Sequence, residues 1–498
     1  MIPDLNSYVE GRIGKLNKLR ELGENPFDND VRRDMSLAQF RETHADLLSG
    51  AERNENRVVS IVGRLKLLRV MGKVSFAQIS DQSGSLQLYI SQAELGSRYD
   101  DLKKIIEVGD IIEAAGYGFL TKTGELTLHI KTLKVLTKSI RPLPEKFHGI
   151  QDIESRSRQR YLDLIMNEGV LENFIYRSRL ISSVRNFFEK NGFVEVETPM
   201  LHPIPGGANA RPFITHHNAL NVDRFLRIAP ELYLKRLIVG GFEAVYEINR
   251  CFRNEGMDST HNPEFTMIEF YWAYHTCSDL IVLTEKLFAE LTRDLGVKTV
   301  CFKGRDIDLS VPFKRYSYDR ALIEIGGISE GDLNDAVALK RIALDLRIAV
   351  KESDTIGRIK GGLFDRLVEE NLIAPVFITD FPIEISPLAR RNDRNPALAD
   401  RFELFIGGYE IANGFSELND PIDQYNRFKE QVKEKEGGND EGMFMDEDYI
   451  TALSYGMPPA AGEGIGIDRL AMILTGSETI RDVLLFPAMR PTGEGDKN

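Results

Sequence analysis

Residues 250–271, RCFRNEGMDSTHNPEFTMIEFY, read as a strand, a polar connector and a return strand. Arg253 and Glu255 are two apart, so the sequence predicts them on one side of the first strand. On the second, Phe265, Met267, Glu269 and Tyr271 alternate with Thr266, Ile268, Phe270 and Trp272. The connector, Met257 to Pro263, carries Ser259, Thr260, His261 and Asn262. A buried charge costs several kcal/mol unless it is paired, so a core hairpin has no use for this inventory. It suits a site for a planar base, a phosphate and a cationic ligand.

Two more segments carry similar chemistry. In GEGIGIDRLAMILT (462–475), Gly464 and Gly466 let backbone approach a ligand, and Arg469 lies where strand gives way to helix. In RFELFIGGYEIANGFSELND (401–420), a two-residue turn at Gly407-Gly408 pairs Glu410 with Phe405. Glu403 then falls on the same face, and two carboxylates there repel unless a cation lies between them. Asn413 and Glu417 have the opposite parity, which calls for a bend or bulge near Gly414. Glu231, in APELYLKR, follows Pro230 and suits the first turn of a helix.

Those segments must be held by a scaffold, and 498 residues suffice for several domains. The composition, 42% hydrophobic and 28% charged, is that of a globular protein. No apolar run reaches the ~20 residues that span a bilayer, and the N-terminus lacks the apolar core of a secretory signal. The expectation is a cytoplasmic chain with no membrane partner. Cys251, Cys277 and Cys301 show no metal-ligand spacing or disulfide framework, and no zinc site is expected. The net charge of −13 conceals a split, because residues 1–150 hold 22 Lys and Arg against 20 Asp and Glu. A locally basic surface for RNA therefore remains open.

Residues 6–23 form an amphipathic helix in pattern, with Arg12, Lys15, Lys18 and Arg20 either on a solvated face or in an RNA-contacting arm. Short β-rich runs follow: VVSIVGRLKLLRV, KVSFAQIS, SLQLYI, DIIEAAGYGFL and ELTLHIKTLKVL, with a helix from Asp100 to Glu107 after the third. Five strands with a helix in that place fit a small OB-type β-barrel. The organisation expected is a helix and barrel over 1–140, a Pro-containing linker over 141–155 and a second domain over 156–498. A helical insertion occupies about 316–372 of that domain. The fold class is α+β.

The string FRNEG…HNPEFT closely resembles the second of the three class II aminoacyl-tRNA synthetase motifs, in the form used by bacterial-type lysyl-tRNA synthetases. FIYRSRLISSVRNFFEKNG with VEVETPML resembles the first motif, and GEGIGIDR the third. The resemblance runs from GRIGKL to FPAMRP, through RPLPEKFHG, RQRYLDL, IPGGANARPFITHHNAL and SPLARRND. It implies a catalytic domain built on an antiparallel sheet flanked by helices, paired into a homodimer through the first motif. Arg253 and Arg469 are then catalytic, on the α- and γ-phosphates of ATP. Glu255, His261, Asn262, Phe265 and Glu403 complete the ATP site, with Phe265 stacked on adenine. Mg²⁺ lies on Glu403 and Glu410. Lysine is bound by Gly207, Glu231, Arg253, Glu269, Tyr271, Asn413 and Glu417, with Glu417 and Tyr271 on its ε-ammonium and Glu231 with Glu269 nearer the α-ammonium. In the barrel, Arg69, Phe76, Gln87 and Glu125 match positions that read the anticodon, although Phe76 also reads as barrel filling. Cys251, Tyr409 and Ala412 depart from the commonest bacterial form.

The implied reaction joins lysine to tRNA(Lys) through lysyl-adenylate. Three rivals stand beside it: a synthetase for aspartate or asparagine, an elongation-factor lysylating paralogue, and a non-catalytic RNA-binding paralogue. The second lacks a barrel, and the third would not need Arg253, Arg469 or the paired glutamates.

Overall fold

The structure, a computed structural model, describes residues 6–48, 53–144, 150–352, 354–436 and 444–491; part of the expected 141–155 linker lies outside them. It forms two compact units, residues 1–168 and 169–498.

In the first unit, strands Val59–Met71, Val74–Asp81, Gly84–Ser91, Ile111–Leu120 and Leu126–Thr137 close into a barrel. The third strand closes it by running parallel to the fifth. Alternation decides what fills the barrel: Ile61, Leu65, Ala77, Ile79, Leu88 and Ile130 point inward and are buried. Helix Ser7–Glu21 packs Leu19 into the same core. Arg12 donates to the carbonyls of Val108 and Ser139 at 3.1 Å, and Lys15 pairs with Glu107 at 2.7 Å. Two of the four cations offered for an RNA-contacting arm thus secure the helix to the barrel, while Lys18 and Arg20 remain exposed.

The second unit is an eight-stranded sheet in the order Lys314–Ser317, Val376–Pro382, Leu398–Ile406, Tyr409–Ser416, Ala460–Gly466, Glu264–Ala273, Ala244–Phe252, Val194–Glu195. Its interior pairs are antiparallel, but each edge strand runs parallel to its neighbour. The expected antiparallel sheet is therefore a mixed one at its edges. Helices Val170–Lys190, Cys277–Asp294 and Ile467–Thr475 supply one covering layer, burying Phe188, Leu287 and Ile473 with Phe270 and Phe402 of the sheet. Between the strands Lys314–Ser317 and Val376–Pro382 lie helices Tyr318–Glu324, Ala336–Asp345 and Ile356–Leu367, with an apolar cluster of their own.

Two local expectations are corrected. The first hairpin strand ends at Phe252, so Arg253 and Glu255 belong to the connector, although Arg253 still donates its amide to Pro263 at 2.8 Å. The parity break of the Glu410 strand lies at Ile411, not near Gly414. Phe405 pairs with Glu410 and Leu404 with Ala412, leaving Ile411 without an opposite residue. That extra residue turns Glu410 and Asn413 to the same face.

Candidate active site

The face of the sheet away from the three covering helices borders a cavity of about 430 Å³. Its wall includes Gly207, Glu231, Arg253, Glu255, His261, Asn262, Phe265, Glu269, Tyr271, Glu403, Glu410, Asn413 and Arg469. The structure brings together every expected site residue of this domain except Glu417, which is buried and does not line the cavity.

At one end, the Arg253 guanidinium lies 5.0 Å from the centre of the Phe265 ring, and its Nε is buried with no hydrogen-bond partner among the described residues. A buried donor without an acceptor is costly, so Arg253 is poised for an incoming oxyanion. Arg469, on the same cavity, donates to the carbonyl of Glu410 at 2.9 Å and to Nε2 of His261 at 3.0 Å. Since Arg469 can only donate, His261 carries its proton on Nδ1, which faces Asp258 at 2.8 Å. Burial opposes the ionisation of Asp258, yet the Thr260 amide and the His261 ring hold it down at about 2. Asn262 spends its side chain on backbone: its amide donates to Glu264 at 2.5 Å and its oxygen accepts from Ala488 at 3.1 Å. It therefore ties the connector to the C-terminal segment.

Glu403 and Glu410 face the same space. Burial raises the Glu403 pKa, Arg401 opposes the rise, and the charge of Glu410 adds to it. Arg401 is a residue that sequence reasoning missed. Its guanidinium reaches Glu403 at 2.5 Å and Asn413 at 3.1 Å, joining the expected metal and lysine positions. The signal lay in its spacing, two before Glu403 and so on the same face. Among the described residues no group of three or more His, Cys, Asp or Glu could hold a metal ion. Two carboxylates alone suit Mg²⁺, which takes its remaining ligands from substrate phosphates and water.

At the other end, Glu231 opens the helix Glu231–Val239, and the Tyr271 hydroxyl donates to Glu269 at 3.2 Å. Burial drives the Glu269 pKa well up, with the charge of Glu231 adding to it. Gly207 has φ +88°, and a Cβ there would stand 3.0 Å from that of Glu231. Glu417 differs from expectation, because its carboxylate pairs with the fully buried Lys235, a second residue that sequence reasoning missed. Lys235 lies four after Glu231 on the helix and meets it at 2.5 Å. That i,i+4 spacing was the available signal.

In the first unit, Arg69 pairs across from Phe76, and Phe76 across from Tyr89. Ser75 and Ala77 are buried on the other side, so Phe76 lies on the outer face and does not fill the barrel. Its ring centre is 5.4 Å from that of Tyr89, which in turn meets Phe119 and His129. Gln87, two before Tyr89, accepts from Thr127 at 2.8 Å. Thr127 also donates to the carbonyl of Glu125 at 3.1 Å. The four expected residues thus lie with the rings of Tyr89, Phe119 and His129, which sequence reasoning missed although strand alternation was the available signal.

Residues 152–490 match the family described as tRNA synthetases class II (D, K and N), and residues 59–136 match an OB-fold nucleic acid binding domain. The chain belongs to the class II tRNA synthetases. Among its relatives, the lysine–tRNA ligase of Wolinella succinogenes is 59% identical over 97% of this chain and 96% of its own. That of Helicobacter pylori (strain G27) is 59% identical over 98% and 97%, and that of Helicobacter hepaticus 56% identical over 98% and 95%.

Proposed function

We propose that the chain is a lysine–tRNA ligase, which activates lysine with ATP and transfers it to the 3′ end of tRNA(Lys). The observation that carries this is a cavity acidic at one end and cationic at the other. Glu231, Glu269 and Tyr271 suit ammonium groups, while Arg253 over Phe265 and Arg469 on His261 suit a nucleotide and its phosphates. Aspartate, whose side chain is anionic, would leave those carboxylates unpaired.

In this reading lysine's carboxylate oxygen attacks the α-phosphorus of ATP, the bond to the bridging oxygen breaks, and pyrophosphate leaves. The 3′-hydroxyl of the terminal adenosine then attacks the lysyl carbonyl and AMP departs. Arg253 binds the α-phosphate and the amino-acid carboxylate, and Phe265 stacks on adenine beside Glu255. Arg469 exchanges His261 for the γ-phosphate. Glu403 and Glu410 would hold Mg²⁺, which neutralises phosphate charge when bound. No side chain need act as a general base, since positioning and charge neutralisation lower the barrier.

We assign residues 1–140 to anticodon binding, with Arg69, Phe76, Gln87 and Glu125 in contact with bases, 141–155 to a linker and 156–498 to catalysis. A homodimer is supported by exposed Val194, Met200 and Leu201 at and beside the edge strand Val194–Glu195. No described helix is long and apolar enough to cross a membrane; we place the enzyme in the cytoplasm, where its aminoacylated product is used. ATP–pyrophosphate exchange with each of the twenty amino acids tests the central claim. Lysine should give the highest turnover, and fastest exchange with aspartate or asparagine would overturn it.

A further inference from the structure

Behind the acidic end of the cavity lies a lysine to which the reaction above gives no role. Lys235 is completely buried, yet its ammonium contacts two carboxylates, those of Glu231 and Glu417. Its ammonium also lies 5.4 Å from the centre of the Phe415 ring. Gly462 forms the partition: a Cβ there would collide with both the Tyr271 ring and Oε1 of Glu417. Oε2 of Glu417 is the oxygen on Lys235, so its other oxygen abuts the wall beside Tyr271.

A purely structural role is the first alternative. Well-packed apolar side chains would serve stability at least as well as a buried ion pair. What apolar residues could not do is hold two carboxylates close together as anions. Two glutamates share one lysine beside Glu269, facing a substrate that brings two ammonium groups.

We propose that Lys235 is a specificity-determining positioning residue, which clamps Glu231 and Glu417 together as a preformed anionic receptor for the ammonium groups of an aliphatic diamino acid. The proposal rests on the lysine reading of the cavity. Several groups face this triad. Glu231 comes from the same helix, Glu417 from the end of strand Tyr409–Ser416, Tyr449 from helix Glu447–Ser454, and Tyr271 and Glu269 from strand Glu264–Ala273. Arg401 acts on Glu231 from strand Leu398–Ile406. Burial pushes both Glu231 and Glu417 toward protonation, and Lys235 is the largest opposing influence on each. Without Lys235 that opposition is lost, both carboxyls move further toward the neutral form, and the receptor loses charge.

The test is Lys235→Met in the full-length chain, read by pyrophosphate exchange over a range of pH. The KM for lysine should rise at least about tenfold near neutral pH, equivalent to one unit of pKa. It should recover on going alkaline as the glutamates ionise again, with the KM for ATP unchanged. Equal changes in both KM values, or a lysine KM with the native pH profile, would overturn the proposal. Should the single variant not fold, Lys235→Met with Glu417→Gln removes a compensating charge. Its lysine KM should exceed that of Glu417→Gln alone, because Glu231 has also lost its partner; equality overturns the proposal. The single variants Glu231→Gln and Glu417→Gln separate the two claims. If neither raises the lysine KM, the lysine reading of the cavity has failed; if they do and Lys235→Met does not, only the role of Lys235 has.

Discussion

Arg253 shows how much one side chain is asked to do. Its Nε has no partner among the described residues while its guanidinium stays beside Phe265, so a donor is left open to an oxyanion. Replacing it with alanine should lower lysine-dependent exchange by about 10²–10³-fold or more, the usual loss for a preorganised donor, with the circular dichroism spectrum retained. Unchanged exchange would refute its role. Glu463 offers a second test, on stability. It is buried, its carboxyl meets only Thr284 among the described residues at 2.7 and 2.8 Å, and burial lifts its pKa from 4.5 to about 8. The folded state therefore binds this proton over a range where the unfolded chain has released it. The native protein should lose about 1.4 kcal/mol of stability per pH unit through this group as pH climbs across that window. Glu463→Gln, which cannot ionise, should show a urea midpoint that overtakes the native one with rising pH. A constant offset between the two would show that Glu463 is already ionised in the folded chain.

At the scale of elements, the strand pattern of the barrel and the alternation of Phe265, Met267, Glu269 and Tyr271 were legible because period-two patterning reports burial directly. The bulge was legible only as a contradiction. Parity alone put Glu410 and Asn413 on opposite faces, and the extra residue sits at Ile411 because the Gly407-Gly408 turn, with φ of +67° and +79°, fixes the pairing that precedes it. Sequence cannot show where backbone pairing stops, so the pattern carries the strand past Phe252 to Arg253. Lys235 and Arg401 were legible in part, since Glu231 lies four before the one and Glu403 two after the other, whereas the second carboxylate on Lys235, that of Glu417, comes from an element joined to its helix only by the fold. The glycine-spaced strand Ala460–Gly466 can be tested in the same terms. Gly462→Ala would force a methyl against the Tyr271 ring and Glu417, so something must shift in the lysine end of the cavity. The lysine KM should rise by about tenfold or more, as packing errors of this size cost about 1–3 kcal/mol. The ATP KM should move little, since Arg253, Phe265 and Arg469 are untouched; parallel losses would mean that Gly462 serves the fold of the sheet as a whole.

For the whole molecule, the two units carry different chemistries. The acidic excess belongs to the residues beyond 150, while the barrel half is nearly balanced in charge. Arg69 is exposed beside a half-buried Phe76, and neither fills the barrel, whose interior is taken by Ala77 and Ile79. Single-stranded bases are held by such faces through stacking, worth about 1–3 kcal/mol per base. If the barrel serves only to choose the tRNA, removing one ring should impair the second half of the reaction and spare the first. Phe76→Ala should therefore reduce kcat/KM for aminoacylation of tRNA(Lys) by about ten- to a hundredfold, through KM for the tRNA, at the stacking energy just given. Lysine-dependent pyrophosphate exchange, which needs no tRNA, should stay at the native rate. A matching fall in exchange would place Phe76 in the folding of the chain, and normal aminoacylation would remove it from the RNA surface. Arg69→Ala on the same face should likewise leave lysine-dependent exchange at the native rate while weakening tRNA binding, since an arginine plane also stacks on bases; unchanged tRNA binding would remove Arg69 from the RNA surface.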